Sequence, residues 1–237
     1  MRMKSTEAKL TDACQHPYRK KAGSGFYCSA CGEYFQGSDK SEHSPLIMPP
    51  SVFRLTRGWW SFYAPWPHIS VDLAKKYGWY LTLDGSITRL VMPVFRSGKP
   101  VFYSARMIGS FKGLKYKYPK GVAKSIWVSR DKLISPVAVC EGVADAVYAS
   151  QVFGSSVGLL GNFIGDGDFS ILAGKVVVLL LDGDVQGKMG TARLVKQLAS
   201  IARVYPVYLP EGCDPTDLPI KKLRKIKNEI ISIIGSV

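Results

Sequence analysis

The sequence lacks long apolar runs, and its first residues lack the apolar core of a signal peptide. A membrane-spanning helix needs about 20 predominantly apolar residues, and every uninterrupted apolar run here is far shorter. The N-terminal stretch MRMKSTEAKL is polar and charged. We therefore expect a protein that is made and kept in a cytoplasm, with no membrane partner.

Cysteine is scarce, and a phosphate-binding loop is missing. The chain has five cysteines in 237 residues, an odd number that argues against a disulfide framework and favours free thiols or metal ligands. No G-x-x-x-x-G-K-S/T motif occurs, so we expect no helicase motor within this sequence.

Negative charge is sparse in the first half of the chain. Residues 1–135 carry 22 lysines and arginines against 8 acidic residues, whereas residues 136–237 carry 10 of each. The whole net charge of +14 therefore lies in the first half. Such an asymmetry indicates a polyanionic partner such as nucleic acid, the alternative being a basic surface that is merely solvated.

From residue 136 the pattern alternates between strands and helices. The segments PVAVC, SVGLL, VVVLLL and RVYPVYL read as strands, with a helix over ADAVYASQV and another from about residue 189. Uninterrupted apolar strands are typical of parallel sheets that are buried on both faces. The sequence therefore predicts an α/β fold with a parallel sheet. Upstream, residues 88–104 predict two strands joined by a tight turn at Ser97 and Gly98, after a helix capped by Ser70 or Asp72.

Acidic residues follow three of the predicted strands. The carboxyl ends of parallel strands meet at one edge of a sheet, where ligands bind, so these side chains can converge. Clustered carboxylates suit Mg²⁺ or Mn²⁺, and two such ions can assist phosphoryl transfer. The residues are Glu141 and Asp145, then Asp182 and Asp184, then Asp214 and Asp217.

A second metal site is predicted near the N-terminus. The stretch CQHPYRKKAGSGFYCSACG contains Cys14, His16, Cys28 and Cys31. A C-x-x-C knuckle with a second Cys/His pair about a dozen residues away supplies four ligands to one tetrahedral Zn²⁺. With all four positions taken, the zinc would be structural.

These motifs resemble those of a known family. EGVADA, DGD and the acidic turn containing Asp214-Pro are similar to the TOPRIM domain of DnaG-like primases, topoisomerases, RecR-type recombination mediators and some nucleases. The resemblance implies that Glu141 is a general acid or base and that Asp182 and Asp184 hold metal. Primases usually have D-P-D at the third end, whereas this chain has D-P-T-D, so the role transfers to Asp214 first and Asp217 second.

The rest of the chain also resembles DnaG-like and phage primases. The Cys-His-Cys-Cys order is similar to their N-terminal zinc ribbon, with C-x-H in place of the usual C-x-x-H. Residues 90–121 resemble the basic part of their RNA-polymerase domain, which implies a ridge for template phosphates or incoming nucleotides. That ridge would comprise Arg106, Lys112, Lys115, Tyr116, Lys117 and Lys120.

The resemblance sets the expected domain organisation. The predicted parts are a zinc ribbon at 1–44, a linker at 45–65, a basic subdomain at 66–135, a TOPRIM segment at 136–218 and a C-terminal helix at 219–237. In that helix Leu223, Ile226, Ile230 and Ile233 are expected to face the core. An aromatic-rich stretch could either stack on bases or pack between neighbouring parts of the protein; it contains Trp59, Trp60, Phe62, Tyr63 and Trp66.

The function implied is that of a DNA primase, which joins ribonucleotide triphosphates into short RNA primers on a single-stranded DNA template by two-metal nucleotidyl transfer. A replicative helicase would be a separate partner. The resemblance also implies a protein of the bacterial cytoplasm, and the small size suggests that a phage or a plasmid encodes it. Two alternatives stay open: a TOPRIM-type nuclease that uses water as the nucleophile, and a non-enzymatic RecR-like mediator. The usual mediator zinc site has four cysteines and lies directly before the TOPRIM segment, and neither feature is found here.

Replacing Cys28 by Ser should remove zinc and unfold the ribbon, because so short and polar a segment needs the metal to fold. We expect zinc content to fall to background and primer initiation to decline. Metal analysis paired with extension of a preformed dinucleotide measures both effects. Full zinc content in the variant would contradict the ligand set.

Overall fold

The computed structural model describes residues 45–110, 112–161 and 170–235, and only the backbone of residues 19–22, 25–28 and 34–36. The chain divides into two compact units. Unit 1 extends to Pro45 and includes Lys120–Ala123, and unit 2 contains Leu46–Pro119 and Lys124–Val237. No helix in the described ranges is long and apolar enough to span a membrane.

Unit 1 contains a three-stranded antiparallel sheet. Its strands, in spatial order, are β1 (Arg19–Ala22), β2 (Gly25–Cys28) and β3 (Tyr34–Gln36). Cys14, His16 and Cys31 lie outside the described residues, and only the backbone of Cys28 is described. The zinc site therefore stays a prediction.

The first two helices of unit 2 are short, and each has a polar N-cap residue. Helix α1 (Arg57–Tyr63) starts where the Thr56 hydroxyl accepts a hydrogen bond from the Trp59 amide at 3.1 Å. Helix α2 (Val71–Lys76) starts at Ser70, whose hydroxyl accepts from the Leu73 amide at 3.1 Å. The predicted linker thus includes a helix, and its Trp60 is buried. The domain boundaries themselves stay a prediction.

An antiparallel sheet follows. It contains, in spatial order, β4 (Tyr80–Asp84), β5 (Ile87–Arg96), β6 (Lys99–Met107) and β7 (Tyr116–Lys117). The turn between β5 and β6 has positive φ angles at both Ser97 (49°) and Gly98 (75°), as in the type I′ turns that suit the twist of a hairpin. The predicted strand pair and its turn are confirmed.

The second sheet of unit 2 is mixed and mainly parallel. Its strands are β8 (Trp127–Val128), β9 (Val137–Cys140), β10 (Ser155–Gly158), β11 (Val176–Leu179) and β12 (Arg203–Pro206). The spatial order is β12-β11-β9-β10-β8, with β8 antiparallel to β10 and the other neighbours parallel. This confirms the predicted α/β fold with a parallel sheet.

Helices follow the central strands. Helix α3 (Val143–Phe153) connects β9 to β10, α4 (Val185–Leu198) connects β11 to β12, and α5 (Ile220–Gly235) comes last. Helix α4 begins four residues before the predicted start, because the Asp184 carboxylate caps the Gly187 amide at 2.7 Å.

The core of unit 2 lies on both faces of the parallel sheet. On one face, Val137 and Leu179 pack with Leu194 and Leu198 of α4. On the other, the Ser156 hydroxyl donates to the Ala146 carbonyl of α3 at 2.7 Å. Burial on both faces explains why the strand sequences are apolar without alternation.

Helix α5 packs against α3, and fewer of its apolar residues are buried than the sequence predicts. Leu223 and Ile230 are buried, and Ile226 is half-buried. Ile233 is 53% exposed, which corrects the expectation that it faces the core. Ile234, the next residue, is half-buried instead, and the apolar spacing alone could not show which of these two isoleucines continues the buried face.

Candidate active site

The first acidic strand end lies where β9 leads into α3. Glu141 directly follows the strand, and Asp145 occupies the first turn of the helix with only 8% of its surface exposed. A Cβ added to Gly142 would lie 2.5 Å from the Asp145 carboxylate. Glycine at 142 therefore leaves the space into which the buried carboxyl group of Asp145 fits.

The second acidic end, after β11, contacts the first directly. The Asp182 amide donates a hydrogen bond to Glu141 Oε1 at 3.3 Å. Asp182 is half-buried, whereas Asp184 is exposed and caps α4. Asp184 therefore has a structural role whether or not it also binds a metal.

The third acidic end belongs to a short 3₁₀ helix, Pro215–Asp217. Asp214 accepts from the amides of Thr216 (2.8 Å) and Asp217 (3.2 Å), and Asp217 accepts from the Asp214 amide at 2.9 Å. This reciprocal pair is a capping box. It fixes both carboxyl groups at the start of the 3₁₀ helix.

The backbone joins the second and third ends. The Gly183 amide donates to the Cys213 carbonyl at 2.8 Å. A Cβ at Gly183 would overlap the Pro210 carbonyl oxygen, and one at Gly187 would overlap the Asp182 carbonyl oxygen. The glycine between the two aspartates is therefore required for the close approach of these loops.

The carboxyl groups of this edge raise one another's pKa. Burial, followed by repulsion from Asp182, raises the pKa of Glu141 to about 7. Burial and the charges of Asp214 and Asp182 raise the pKa of Asp145 to about 8. Burial and the charges of Asp214 and Asp184 raise that of Asp182 to about 6. All three ends therefore share one electrostatic environment, as the sequence predicts.

Two carboxylate oxygen atoms at this edge suit a bound cation. Asp145 Oδ1 and Asp182 Oδ1 are buried without a hydrogen-bond partner, an arrangement that a bound cation would relieve. Among the described residues, no three His, Cys, Asp or Glu side chains are grouped so as to hold one ion. The carboxyl groups thus fit a metal that also takes ligands from water or substrate.

Part of the predicted basic ridge faces this edge. The positive charge of Lys115 lowers the pKa of Asp182, against the larger effect of burial. The charges of Asp145 and Asp182 contribute to the raised pKa of Tyr116, whose main cause is burial. The Tyr116 hydroxyl accepts a hydrogen bond from Arg106 at 2.7 Å. Arg106, Lys115 and Tyr116 therefore lie close to the acidic residues.

The other predicted cations are placed differently. Lys117 pairs with Asp84 at 2.5 Å, and Lys112 is exposed. Lys120 belongs to unit 1, and its role in nucleotide binding stays a prediction.

Arg89, near the ridge, was not predicted from the sequence. Only 2% exposed, it donates to Asp84 at 2.7 Å and to the Leu114 carbonyl at 3.1 Å, which holds the loop before Lys115. An arginine within the apolar run of β5 is its one sequence signal. Trp66, which belongs to the aromatic-rich stretch, packs against the Arg106 guanidinium, 4.6 Å from the ring centroid; the sequence did not predict this partner, because the contact is tertiary.

No family model matches the chain, and no curated protein matches its sequence. Solved structures do match, and they include structures of primase domains. The zinc-binding and RNA-polymerase domains of the Aquifex aeolicus primase align with a TM-score of 0.48 and 24% identity over 73% of this chain, which spans 50% of that chain.

Two further matches come from bacteriophage T7. The primase fragment of its primase-helicase protein aligns with a TM-score of 0.43 and 16% identity, covering 87% of this chain and 89% of that chain. The lagging-strand DNA polymerase complex, with primase domains of two gp4 subunits bound to an RNA/DNA hybrid and dTTP, aligns at 0.45 and 19%, covering 69% and 85%. With TM-scores below 0.5, the function has to be argued from the residues of this chain.

Gly183→Ala should destabilise the protein by about 1–3 kcal/mol, because the added methyl group forces the loop at Pro210 to move. Urea unfolding measures the loss. Gly58→Ala is the matched control, since an added Cβ there meets nothing within 4 Å. Equal stability of the Gly183 variant and wild type would contradict the close approach.

Stability without divalent cations should fall as pH rises from about 5 to 8. Folded Asp145 keeps its proton up to a pKa of about 8, whereas in the unfolded chain an aspartate ionises near 3.9. The folded state thus binds more protons over this range, so stability is present at low pH and is lost as pH rises.

Asp145→Asn, which cannot ionise, should flatten this slope in unfolding experiments at a series of pH values in EDTA. Glu229→Gln, on the exposed side of α5, should keep it. An unchanged slope in the Asp145 variant would rule out that residue as its source.

Proposed function

We propose that this protein is a DNA primase, which synthesises short RNA primers on a single-stranded DNA template from ribonucleotide triphosphates. The observation that carries the proposal is the convergence of three acidic strand ends opposite Lys115 and Arg106. The Asp182–Glu141 and Gly183–Cys213 hydrogen bonds join those ends. Carboxylates suited to cations, beside cationic side chains that can contact phosphate, are what nucleotidyl transfer requires.

We infer that Glu141, Asp182 and Asp184 would hold Mg²⁺ or Mn²⁺, with Asp214 and then Asp217 as further ligands. Mg²⁺ keeps several waters and commonly binds through one or two carboxylates plus substrate phosphates. When bound, two ions would activate the 3′-hydroxyl group for attack on the α-phosphorus and neutralise the triphosphate as the bond to the β-phosphate breaks and pyrophosphate leaves.

The protein's own side chains would supply the remaining steps. Glu141, which adjoins Asp182, would accept the proton of the 3′-hydroxyl group. Lys115 and Arg106 would bind phosphate oxygens of the nucleotide or template. Trp66 and Tyr116 hold the Arg106 side chain in place, and Arg89 holds the loop before Lys115.

We propose further that residues 1–44 form a zinc ribbon with Cys14, His16, Cys28 and Cys31 as ligands, which would help to select the initiation site on the template. The proposed primase would act together with a helicase that opens the duplex.

Asp182→Ala should lower primer synthesis about 100-fold or more, since it removes a ligand of the reacting centre, and should leave binding of single-stranded DNA intact. The assay incubates purified protein with single-stranded DNA, four ribonucleotide triphosphates (one radiolabelled) and Mg²⁺ or Mn²⁺, and resolves products on a denaturing gel. Glu229→Gln is the matched control and should retain synthesis. Wild-type synthesis by the Asp182 variant would refute the metal assignment.

The same assay separates the alternatives. Labelled oligoribonucleotides that vanish without template support a primase. Metal-dependent cleavage of the DNA without nucleotides would replace the proposal by a nuclease, and binding with neither product would replace it by a mediator.

A further inference from the structure

Helix α1 has an aromatic face that the fold leaves uncovered. Phe62 is 83% exposed and Tyr63 is 59% exposed, and Trp59 beside them is half-buried. The rings are neighbours, with centroids 5.6 Å apart for Trp59 and Tyr63 and 6.5 Å apart for Phe62 and Tyr63. Adjacent large aromatic side chains in solvent mark an interaction surface.

The opposite side of α1 is firmly anchored. Trp60 is 7% exposed, and its indole N–H donates to the Ile69 carbonyl at 2.6 Å. Its ring lies 6.3 Å from that of Trp79 in the core. The exposed rings therefore sit on a fixed helix, so that ordering them on a partner costs little conformational entropy.

Charge around this face indicates the kind of partner. Residues 45–71 contain Arg54 and Arg57 and no acidic residue. The next carboxylate, Asp72, pairs with Arg57 at 3.2 Å. Aromatic rings interleaved with cations and without unpaired carboxylates match a polyanion that carries flat bases, and they match an acidic or apolar protein surface less well.

We propose that the face of α1 formed by Trp59, Phe62 and Tyr63 is a stacking platform for single-stranded nucleic acid. A helix of this length spans about 10 Å, which is enough for two or three bases, while Arg54 would contact the backbone phosphates. The proposal concerns binding alone and holds for any chemistry at the acidic edge.

The first test is fluorescence anisotropy with a fluorescein-labelled oligo(dT), without nucleotides or divalent cations. Phe62→Ala should weaken binding about tenfold, the order found when a base-stacking ring is removed. Phe62→Tyr, which keeps a ring, should bind as wild type does. Ile233→Ala, which removes an exposed apolar side chain from α5, is the matched control and should also bind normally.

The salt dependence of binding separates rings from charges. Phe62→Ala should leave the slope of log K against log salt concentration unchanged, because it removes no charge. Arg54→Ala should reduce the magnitude of that slope by about 1. All variants alter exposed residues, so their melting temperatures should equal that of the wild type.

Three outcomes would overturn the proposal. The first is wild-type affinity of Phe62→Ala for oligo(dT). The second is wild-type affinity of Phe62→Leu, which would show that an apolar side chain without a ring is sufficient. The third is a change of oligomeric state in Phe62→Ala with DNA binding intact. The last would identify a contact between copies of the chain. Oligo(dT) binding is measured without nucleotides or divalent cations, so it reports on this proposal whether or not the protein synthesises primers, and failure of the primase proposal and failure of this one give different results.

Discussion

The crowding of Glu141, Asp145 and Asp182 in a partly buried edge is the constraint on which the rest of this site depends. Burial first, and repulsion from neighbouring carboxylates second, raise the pKa of all three carboxyl groups. Such crowding lowers stability unless protons or cations compensate for it. A fold selected only for stability would place amides or apolar groups there. The cost is understandable if cations and phosphates complete the site.

The scaffold that enforces this crowding is the parallel sheet, together with the glycines at its edge. Parallel neighbours bring three loops to the same edge, and Gly142, Gly183 and Gly187 let those loops approach one another to backbone contact. Asp184 and Asp214 then cap the helices that follow, so these carboxylates are fixed by hydrogen bonds rather than left mobile.

The antiparallel sheet contributes the positive charge. Arg89 is buried in that sheet. It donates hydrogen bonds to Asp84 and to the Leu114 carbonyl, and the second of these holds the loop before Lys115 against the sheet. Arg106 is held between Trp66 and Tyr116. The excess positive charge of the first half of the chain therefore includes cations held in place beside the acidic edge as well as freely solvated ones. The aromatic face of α1 adds a separate surface of different chemistry.

The sequence by itself determined the α/β fold with its parallel sheet and the β5–β6 turn, because strand burial and turn chemistry are local properties that leave periodic and compositional signals. It did not determine the buried Arg89, the stacking of Trp66 on Arg106, or the exposure of Ile233 and Phe62. Those depend on which distant segments meet, and residue spacing within one segment carries no information about its neighbours. Only the tertiary structure decided which aromatic rings became core and which stayed in solvent, because burial is a property of the whole packed chain.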